Sequence, residues 1–442
     1  MKIGLIAMSG VRMKTKDLKE LGMTMPQFEN RGQTVASLPS LGLLTVAGLT
    51  PSEHEVEYLE IDELSPNAED LKIFDLVGIS SLTARINDAY TLADRYRSRG
   101  VPVVLGGLHV TMNPDEASLH ADSIVVNGAE GAWPKLLEDF EAGEMKEVYR
   151  GLRSKVFSEE NYVMPRFSLL NGRDYNRLTI QTSRGCPLRC DFCSASIRLT
   201  SGFQQKPVAL VVEEIKEALK HCDHRFFELS DDNTFVNKKW GKEFLRAIIP
   251  LKLTWFCMTD VSIADDEELL DLLAESGCVQ ILIGFESPDA DDLKGINDND
   301  WKRKRAGSYL EIIEKIQSRG ITVSGCFVLG LDEQDTTIFK KVRDFVIESK
   351  LLEVQLTVLT AFPGTPLYSR LKAEGRLLSE KYWDRCTLFD VNYQPKKMSV
   401  QELQDGMLWL YKEVYNETQH TRRKRHYINI IKKRLAAKAK ED

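Results

Sequence analysis

No cysteine precedes Cys186. A secreted disulfide scaffold is short and cysteine-dense, and a chain of 442 residues with 8 cysteines, none near its start, is neither. Clustered cysteines in such a chain read as metal ligands or catalytic thiols, and the expected location is the cytoplasm. Long apolar runs are also missing: none reaches the roughly 18 residues of a membrane span. The apolar start, Lys2 to Ala7, lacks a basic region, a long apolar core and a small-residue cleavage site, so it reads as a first strand and not a signal peptide. Positive charge is not in excess. With 59 Lys and Arg against 66 Asp and Glu, the net charge of −7 excludes a dominant nucleic-acid footprint. There is no internal repeat and no low-complexity tract. At 43% hydrophobic and 28% charged residues the composition is globular, and at roughly 150 residues per domain the length suggests two or three domains.

Strand and helix signals alternate through residues 1–145. Lys2 to Ala7, Val56 to Ile61, Leu76 to Ser80, Val101 to Leu105 and Ser123 to Val126 read as strands. Helical patterns run over Pro39 to Leu49, Asn87 to Ser98 and Trp133 to Glu141. Short, continuously apolar strands between helices predict a parallel sheet covered on both faces, an open doubly wound α/β domain with its ligand site at the C-terminal strand ends. Residues 146–176 read as a polar connector. A second series, residues 177–385, has strands at Leu178 to Thr182, Arg225 to Leu229, Leu253 to Met258, Val279 to Phe285, Thr322 to Leu329 and Glu353 to Leu359, with five helices between. Six units are too few for an eightfold barrel and suit a partial one. Residues 386–442 read as irregular structure, a helix from Val400 to Tyr415, and a basic tail.

The strongest signal is Gly185-Cys186-Pro187-Leu188-Arg189-Cys190-Asp191-Phe192-Cys193, directly after a predicted strand. Three thiolates on one loop can hold three irons of a cubane and leave the fourth open. The alternatives are packed loop cysteines, or zinc, which in structural sites wants a fourth ligand that is not nearby. The spacing, with an aromatic residue before the last cysteine, resembles the radical S-adenosylmethionine (SAM) superfamily, whose partial barrel the six units also fit. The resemblance implies a [4Fe-4S] cluster on Cys186, Cys190 and Cys193. It also implies SAM on the open iron, and an electron from a donor such as flavodoxin or ferredoxin that cleaves SAM to a 5′-deoxyadenosyl radical.

Other strand ends carry polar residues that fit the same family. Glu228-Leu-Ser-Asp231-Asp232-Asn233 ends the second barrel strand and resembles the family's acidic segment for SAM, although a helix cap before Asn237 is an equally physical role. Glu286 in Gly284-Phe285-Glu286-Ser287 resembles the Gly-x-Glu-Ser that contacts SAM. Gly330 resembles the glycine turn beside the adenine, and Phe192 is placed against SAM. Phe362-Pro363-Gly364 reads as a turn.

In the first domain Ser80-Ser81, Gly106-Gly107-Leu108-His109 and Asn127-Gly128-Ala129-Glu130 end successive strands, where small residues let backbone approach a large ligand. Together with Ser40-Leu41-Gly42 and the cysteine loop, these resemble the cobalamin-binding domain of B12-dependent radical SAM proteins. The resemblance places cobalamin against Ser40, Leu41, Gly42, Ser80, Ser81, Gly106, Gly107, His109, Asn127, Gly128 and Glu130. No Asp-x-His-x-x-Gly is present, so the expected form is base-off, and His109 reads more readily as a tie between loops than as a cobalt ligand.

The C-terminal segment, from Phe389-Asp390 to Arg422-Arg423, resembles a group of hopanoid and tetrapyrrole methylases and cyclases. The implied function is cobalamin-dependent methylation of an unactivated carbon in a small-molecule or lipid-like substrate. The alternative is a radical ring formation or oxidation, with or without cobalamin. A methylthiotransferase needs a second cluster from N-terminal cysteines, and a cobalamin sensor leaves the cysteine triad without a role. The tail, with Arg422, Arg423, Lys424, Arg425, Lys432, Lys433, Arg434, Lys438 and Lys440 interleaved with Tyr427, Ile428, Ile430, Ile431 and Leu435, reads as a solvated helix or a peripheral lipid contact, not as a nucleic-acid site.

Overall fold

Strand order separates the two halves of the chain. The structure, a computed structural model, describes residues 1–20, 38–66, 70–171, 174–194, 199–222 and 225–441, with side chains as far as Lys432. The side chains of Lys433, Arg434, Leu435, Lys438 and Lys440 lie outside that set.

The first sheet contains β1 (Lys2–Met8), β2 (Glu55–Ile61), β3 (Leu76–Ser81), β4 (Val103–Gly106), β5 (Ser123–Val126) and β6 (Val148–Arg150), in the order β2-β1-β3-β4-β5-β6 and parallel throughout. Ile3, Leu5, Ile6, Leu76 and Val77 are all buried because helices cover both faces, which is why these strands read as unbroken apolar runs. The order reverses at β1, the switch point where a doubly wound sheet opens a crevice at its C-terminal edge. Helix α1 (Leu41–Leu49) begins beside that crevice, and the Ser40 hydroxyl caps it by accepting from the Leu43 N–H at 3.4 Å.

The second sheet is ordered β14-β13-β12-β11-β10-β7, with β7 (Leu178–Ile180), β10 (Phe226–Leu229), β11 (Thr254–Thr259), β12 (Cys278–Glu286), β13 (Thr322–Leu329) and β14 (Glu353–Val358). Each strand lies beside its neighbour in sequence, parallel to it, as in a partial (β/α)6 barrel. A separate antiparallel pair, β8 (Ser183–Arg184) with β9 (Gln204–Gln205), clamps the two ends of the cysteine loop. The edge strand β14 is covered by helix α2 (Val400–Val414) and the residue after it. Tyr411 donates to the Leu356 carbonyl at 2.6 Å, and the Tyr415 hydroxyl accepts from the Val354 N–H at 3.0 Å.

Residues 146–176, expected as a connector, do more than connect. β6 extends the first sheet; three residues with one buried side chain, Tyr149, are too brief for a periodic signal. Arg166 donates to the Thr50 carbonyl at 3.0 Å, and Tyr175 donates to Glu60 at 2.7 Å. The segment after β14 returns to the first domain. Trp383 and Cys386 are buried in its core, and the Trp383 indole donates to Glu116 at 2.9 Å. The Asp390 carboxylate is fully buried and accepts from the backbone N–H of Lys14 (2.9 Å) and Thr15 (2.7 Å) and from the Thr387 hydroxyl (2.7 Å). The final helix, α3 (Glu417–Glu441), is tied down at its start. Arg423 donates to the Val414 carbonyl at 2.7 Å and Tyr427 to the Gly320 carbonyl at 2.5 Å, so Tyr427 belongs to the barrel surface and not to a free apolar stripe. Among the described residues no helix is long and apolar enough to cross a membrane.

Asp390→Ala strands donors from the start and the end of the chain. It should lower unfolding stability by about 1–3 kcal/mol, read as a lower urea midpoint. An unchanged midpoint would mean that the strap does not hold the two halves together.

Candidate functional site

The cysteine loop is rooted by two adjacent acids. Asp231 accepts from the Thr182 N–H (2.7 Å), the Thr182 hydroxyl (2.6 Å) and the Ser183 N–H (2.8 Å); Asp232 accepts from the Gly185 N–H at 3.0 Å. Gly185 has φ +89, and a Cβ there would stand 3.0 Å from the Gly202 carbonyl oxygen, so only glycine fits between β8 and the first cysteine. The far side of the loop is held by Asp191, whose N–H donates to Ile296 (2.9 Å) and whose carbonyl accepts from Leu367 (3.1 Å).

Cys186, Cys190 and Cys193 are half-buried, none in a disulfide, on the wall of one cavity of about 240 Å³ inside the barrel mouth. Burial raises the Cys186 thiol and pushes Cys190 up to about 12. Both are therefore neutral thiols in the bare protein, and taking up metal releases their protons. Among the described residues no three of His, Cys, Asp and Glu close on one point as ligands of a single ion must. A cubane does not require that, because each thiolate takes a different iron. The donor set thus fits a cluster: three thiols on one loop, facing one cavity, with no disulfide between them.

Phe192, Asp232 and Glu286 share the cavity wall. Burial raises the Asp232 carboxyl to about 6 against the opposing Gly185 N–H. Glu286 sits at the end of β12 with φ +64, where the register with β13 shifts between Gly284 and Glu286, and such a bulge re-aims a side chain. Its carboxylate pairs with Lys302, a residue the sequence reading did not single out. Lys302 lies in Trp301-Lys302-Arg303-Lys304-Arg305, a run that looks like solvated charge, yet its side chain is 8% exposed and its Nζ also donates to the Gly284 carbonyl at 2.8 Å. Burial pulls the Lys302 ammonium down, and Glu286 together with Cys190 and Tyr309 pushes it up, so the net shift is upward. Only burial distinguishes Lys302 from its neighbours, and no sequence pattern reports it.

Three residues expected at SAM, Glu228, Asp231 and Gly330, do not line this cavity. Asp231 is fully buried with its oxygens committed to Thr182 and Ser183. Glu228 is paired with Arg177 at 2.7 Å, with the Arg177 guanidinium over the Phe256 ring. Gly330 does not line the cavity. Its φ is +91, its N–H donates to Gln334 at 2.7 Å, its carbonyl accepts from Tyr393, and a Cβ would collide with the Tyr393 hydroxyl.

At the C-terminal edge of the first sheet lies a cavity of about 270 Å³. Leu41, Gly42, Ser80, Gly106, Gly107, Asn127, Gly128 and Glu130 line it. A Cβ on Gly42 would meet nothing within 4 Å and one on Gly106 nothing nearer than 3.8 Å, so these glycines leave open space that a bound group can fill. Gly107, at φ +110, turns the chain there. Ser40 caps α1 and Ser81 lies outside the cavity wall. His109 does not line the cavity either. It is buried against Trp383 (ring centroids 5.1 Å) and Glu116 (3.6 Å), and burial lowers it to about 4 despite that carboxylate. It ties the strap to the first domain.

A third cavity of about 450 Å³, walled by Cys186, Cys190 and Asp232, shares Gln181, Arg184 and Leu199 with the glycine-walled one. At this seam the Arg184 guanidinium reaches Glu130 at 3.1 Å and Gln181 at 3.1 Å and lies over the Phe157 ring.

Comparison with known proteins matches this arrangement. The model of the radical SAM superfamily matches residues 180–345, that of the B12 binding domain residues 32–137, and a domain of unknown function (DUF4070) residues 365–442. The bacteriochlorophyllide d C-12(1)-methyltransferase of Chlorobaculum tepidum is 29% identical over 386 residues, 86% of this chain and 83% of that protein. The C-8(2)-methyltransferase of the same organism is 28% identical over 430 residues, 91% and 92% of the two chains. The solved structure of TsrM from Kitasatospora setae, a radical SAM methyltransferase with cobalamin and a [4Fe-4S] cluster bound, shares the fold with a TM-score of 0.65 at 14% identity, covering 95% of this chain and 90% of that one. With a cysteine loop on a partial barrel and a glycine-walled sheet edge ahead of it, the chain joins a B12-binding domain (residues 32–137) to a radical SAM domain (residues 180–345).

Proposed function

We propose that the protein is a cobalamin-dependent radical SAM enzyme that methylates an unactivated carbon of a small-molecule or lipid-like substrate. The observation that carries this reading is the meeting of the two sites: the third cavity, walled by Cys186, Cys190 and Asp232, shares Gln181, Arg184 and Leu199 with the glycine-walled one, and shares Cys186, Cys190 and Asp232 with the cavity that holds all three cysteines. When bound, the cofactors supply one-electron cleavage of a sulfonium and a transferable methyl group.

In this reading Cys186, Cys190 and Cys193 hold the [4Fe-4S] cluster. Phe192, Asp232 and Glu286 face SAM, and Leu41, Gly42, Ser80, Gly106, Gly107, Asn127 and Gly128 cradle cobalamin. Asp231 fixes the root of the cysteine loop. Two relatives that span more than four-fifths of the chain are C-methyltransferases, which favours methylation over ring formation. The electron comes from a flavodoxin- or ferredoxin-type donor, and cysteines without disulfides suit a reducing cytoplasm.

Anaerobically reconstituted protein should bind about four iron and four sulfide per chain. Replacing Cys186, Cys190 and Cys193 together with Ala should remove them and abolish SAM cleavage. Replacing Cys222, Cys257, Cys278 or Cys326 should not change the iron content. Iron and sulfide analysis decides, and a cluster that survives the triple change contradicts the assignment.

Gly107→Trp should lower cobalamin occupancy severalfold at unchanged iron content, because its indole must enter the glycine-walled cavity or distort a turn at φ +110. His109→Ala should leave the paramagnetic resonance spectrum of bound cob(II)alamin base-off, as in wild type, since His109 faces Trp383 and Glu116. Axial nitrogen splitting in wild type that disappears in His109→Ala would overturn this placement.

A further inference from the structure

Between the two proposed cofactor sites lies the cavity of about 450 Å³. It meets the cysteine cavity at Cys186, Cys190 and Asp232 and the glycine-walled cavity at Gln181, Arg184 and Leu199. Its volume is that of an ordinary small-molecule pocket. Leu108, Leu199 and Pro366 supply an apolar part of the wall.

The charged part of the wall is one-sided. Arg153, Arg184 and Arg189 stand on it with a single carboxylate, Asp232, which accepts from the Gly185 N–H at 3.0 Å. Arg184 is satisfied by Glu130 and by the side-chain oxygen of Gln181. That contact also fixes which end of the Gln181 amide faces Arg184, and the amide nitrogen has no acceptor among the described residues. Arg153 is exposed, and no carboxylate lies within 4.0 Å of it among the described residues. Its carbonyl accepts from the Ser201 N–H at 2.6 Å and the Ser201 hydroxyl at 2.9 Å, which pins its backbone to the loop on the rim of the cavity. Arg189 comes no nearer than 4.0 Å to its carboxylate neighbour Asp298. The amide and cationic groups left over on this wall are therefore N–H donors. A guanidinium fork matches the paired oxygens of a carboxylate or a phosphate, whereas a neutral apolar ligand would leave these donors to water alone.

We propose that this cavity takes the substrate, and that the substrate is an apolar molecule carrying an oxyanion, a carboxylate or a phosphate, which Arg153 and Arg189 bind. The apolar body lies against Leu108, Leu199 and Pro366, and the two arginines are specificity residues that select anionic over neutral molecules. The proposal rests on the cobalamin-dependent radical SAM reading and deepens it by naming the substrate class.

The test is anaerobic titration calorimetry on cluster-reconstituted, cobalamin-loaded protein with SAM present and no reductant, using octanoate, octyl phosphate and the neutral octanamide as probes. Wild type should bind at least one of the two anions about tenfold or more tighter than octanamide, the gain expected for a charge-assisted hydrogen bond, and the tighter of the two identifies the oxyanion. Arg153→Gln/Arg189→Gln should bring that preference to within about threefold of none, while SAM affinity and iron content stay within about twofold of wild type. Equal binding of the three probes by wild type, binding of none of them, or a preference that survives the double change overturns the proposal. Loss of SAM binding in the double variant assigns the arginines to the cofactor and overturns it as well. Arg189 lies inside the cysteine loop, so if the double variant does not hold its cluster, Arg153→Gln alone carries the comparison. It should cut the preference by about threefold or more, and an unchanged preference overturns the proposal. Wild type that holds a full cluster but takes up neither cobalamin nor SAM contradicts the underlying cofactor reading, which separates the two failures.

Discussion

The contact between Arg184 and Glu130 is the constraint on which the functional geometry depends. Arg184 belongs to β8 and is two residues from Cys186; Glu130 lies at the end of the first sheet and lines its glycine-walled cavity. The two side chains are 17% and 6% exposed, so parting them would leave a carboxylate nearly bare of both water and partner, which costs several kcal/mol. The pair therefore fixes the distance between two sites that belong to different sheets. The Trp383 strap and the Asp390 knot repeat the constraint from the other side of the molecule, binding the C-terminal segment to the start of the chain.

Given that seam, the polar residues of the barrel divide by depth. Arg177 with Glu228 and Gln280 with Glu353 pair inside the barrel, where their strands begin or run. Asp231 is spent on the backbone of the cysteine loop. Asp232, Asp260 and Glu286, at the rim, keep a face on the cavity, and of these Glu286 is paired with Lys302. The first domain divides in the same way: Gly42 and Gly106 leave space, while His109, the one histidine in the expected set, is turned into the core by the short helix that begins at Leu108.

Much of this was legible in the sequence, for identifiable reasons. Parallel strands buried on both faces read as plain apolar runs, so β13 and β5 match their expected bounds, and the cysteine spacing marks its loop unaided. What was not legible depends on contacts distant in the chain. Nothing in Asp231-Asp232 tells which carboxylate turns to the loop and which to the cavity. Glu228 was expected at a ligand because its partner, Arg177, lies 51 residues away. Lys302 sits in a basic run of the kind that is normally solvent-facing, and Gly330 resembles a ligand turn because the side chain that fills the space beside it, Tyr393, lies 63 residues on.

The central claim is that two cofactor systems face each other across the Arg184–Glu130 seam. It is tested most directly by paramagnetic resonance on reduced, cobalamin-loaded, cluster-reconstituted protein. The account predicts that cob(II)alamin and the reduced cluster occur in the same molecule at equal occupancy and that their signals are mutually broadened by spin coupling. Two sharp, independent signals, or a full cluster with no cobalamin retained from an excess, would contradict it.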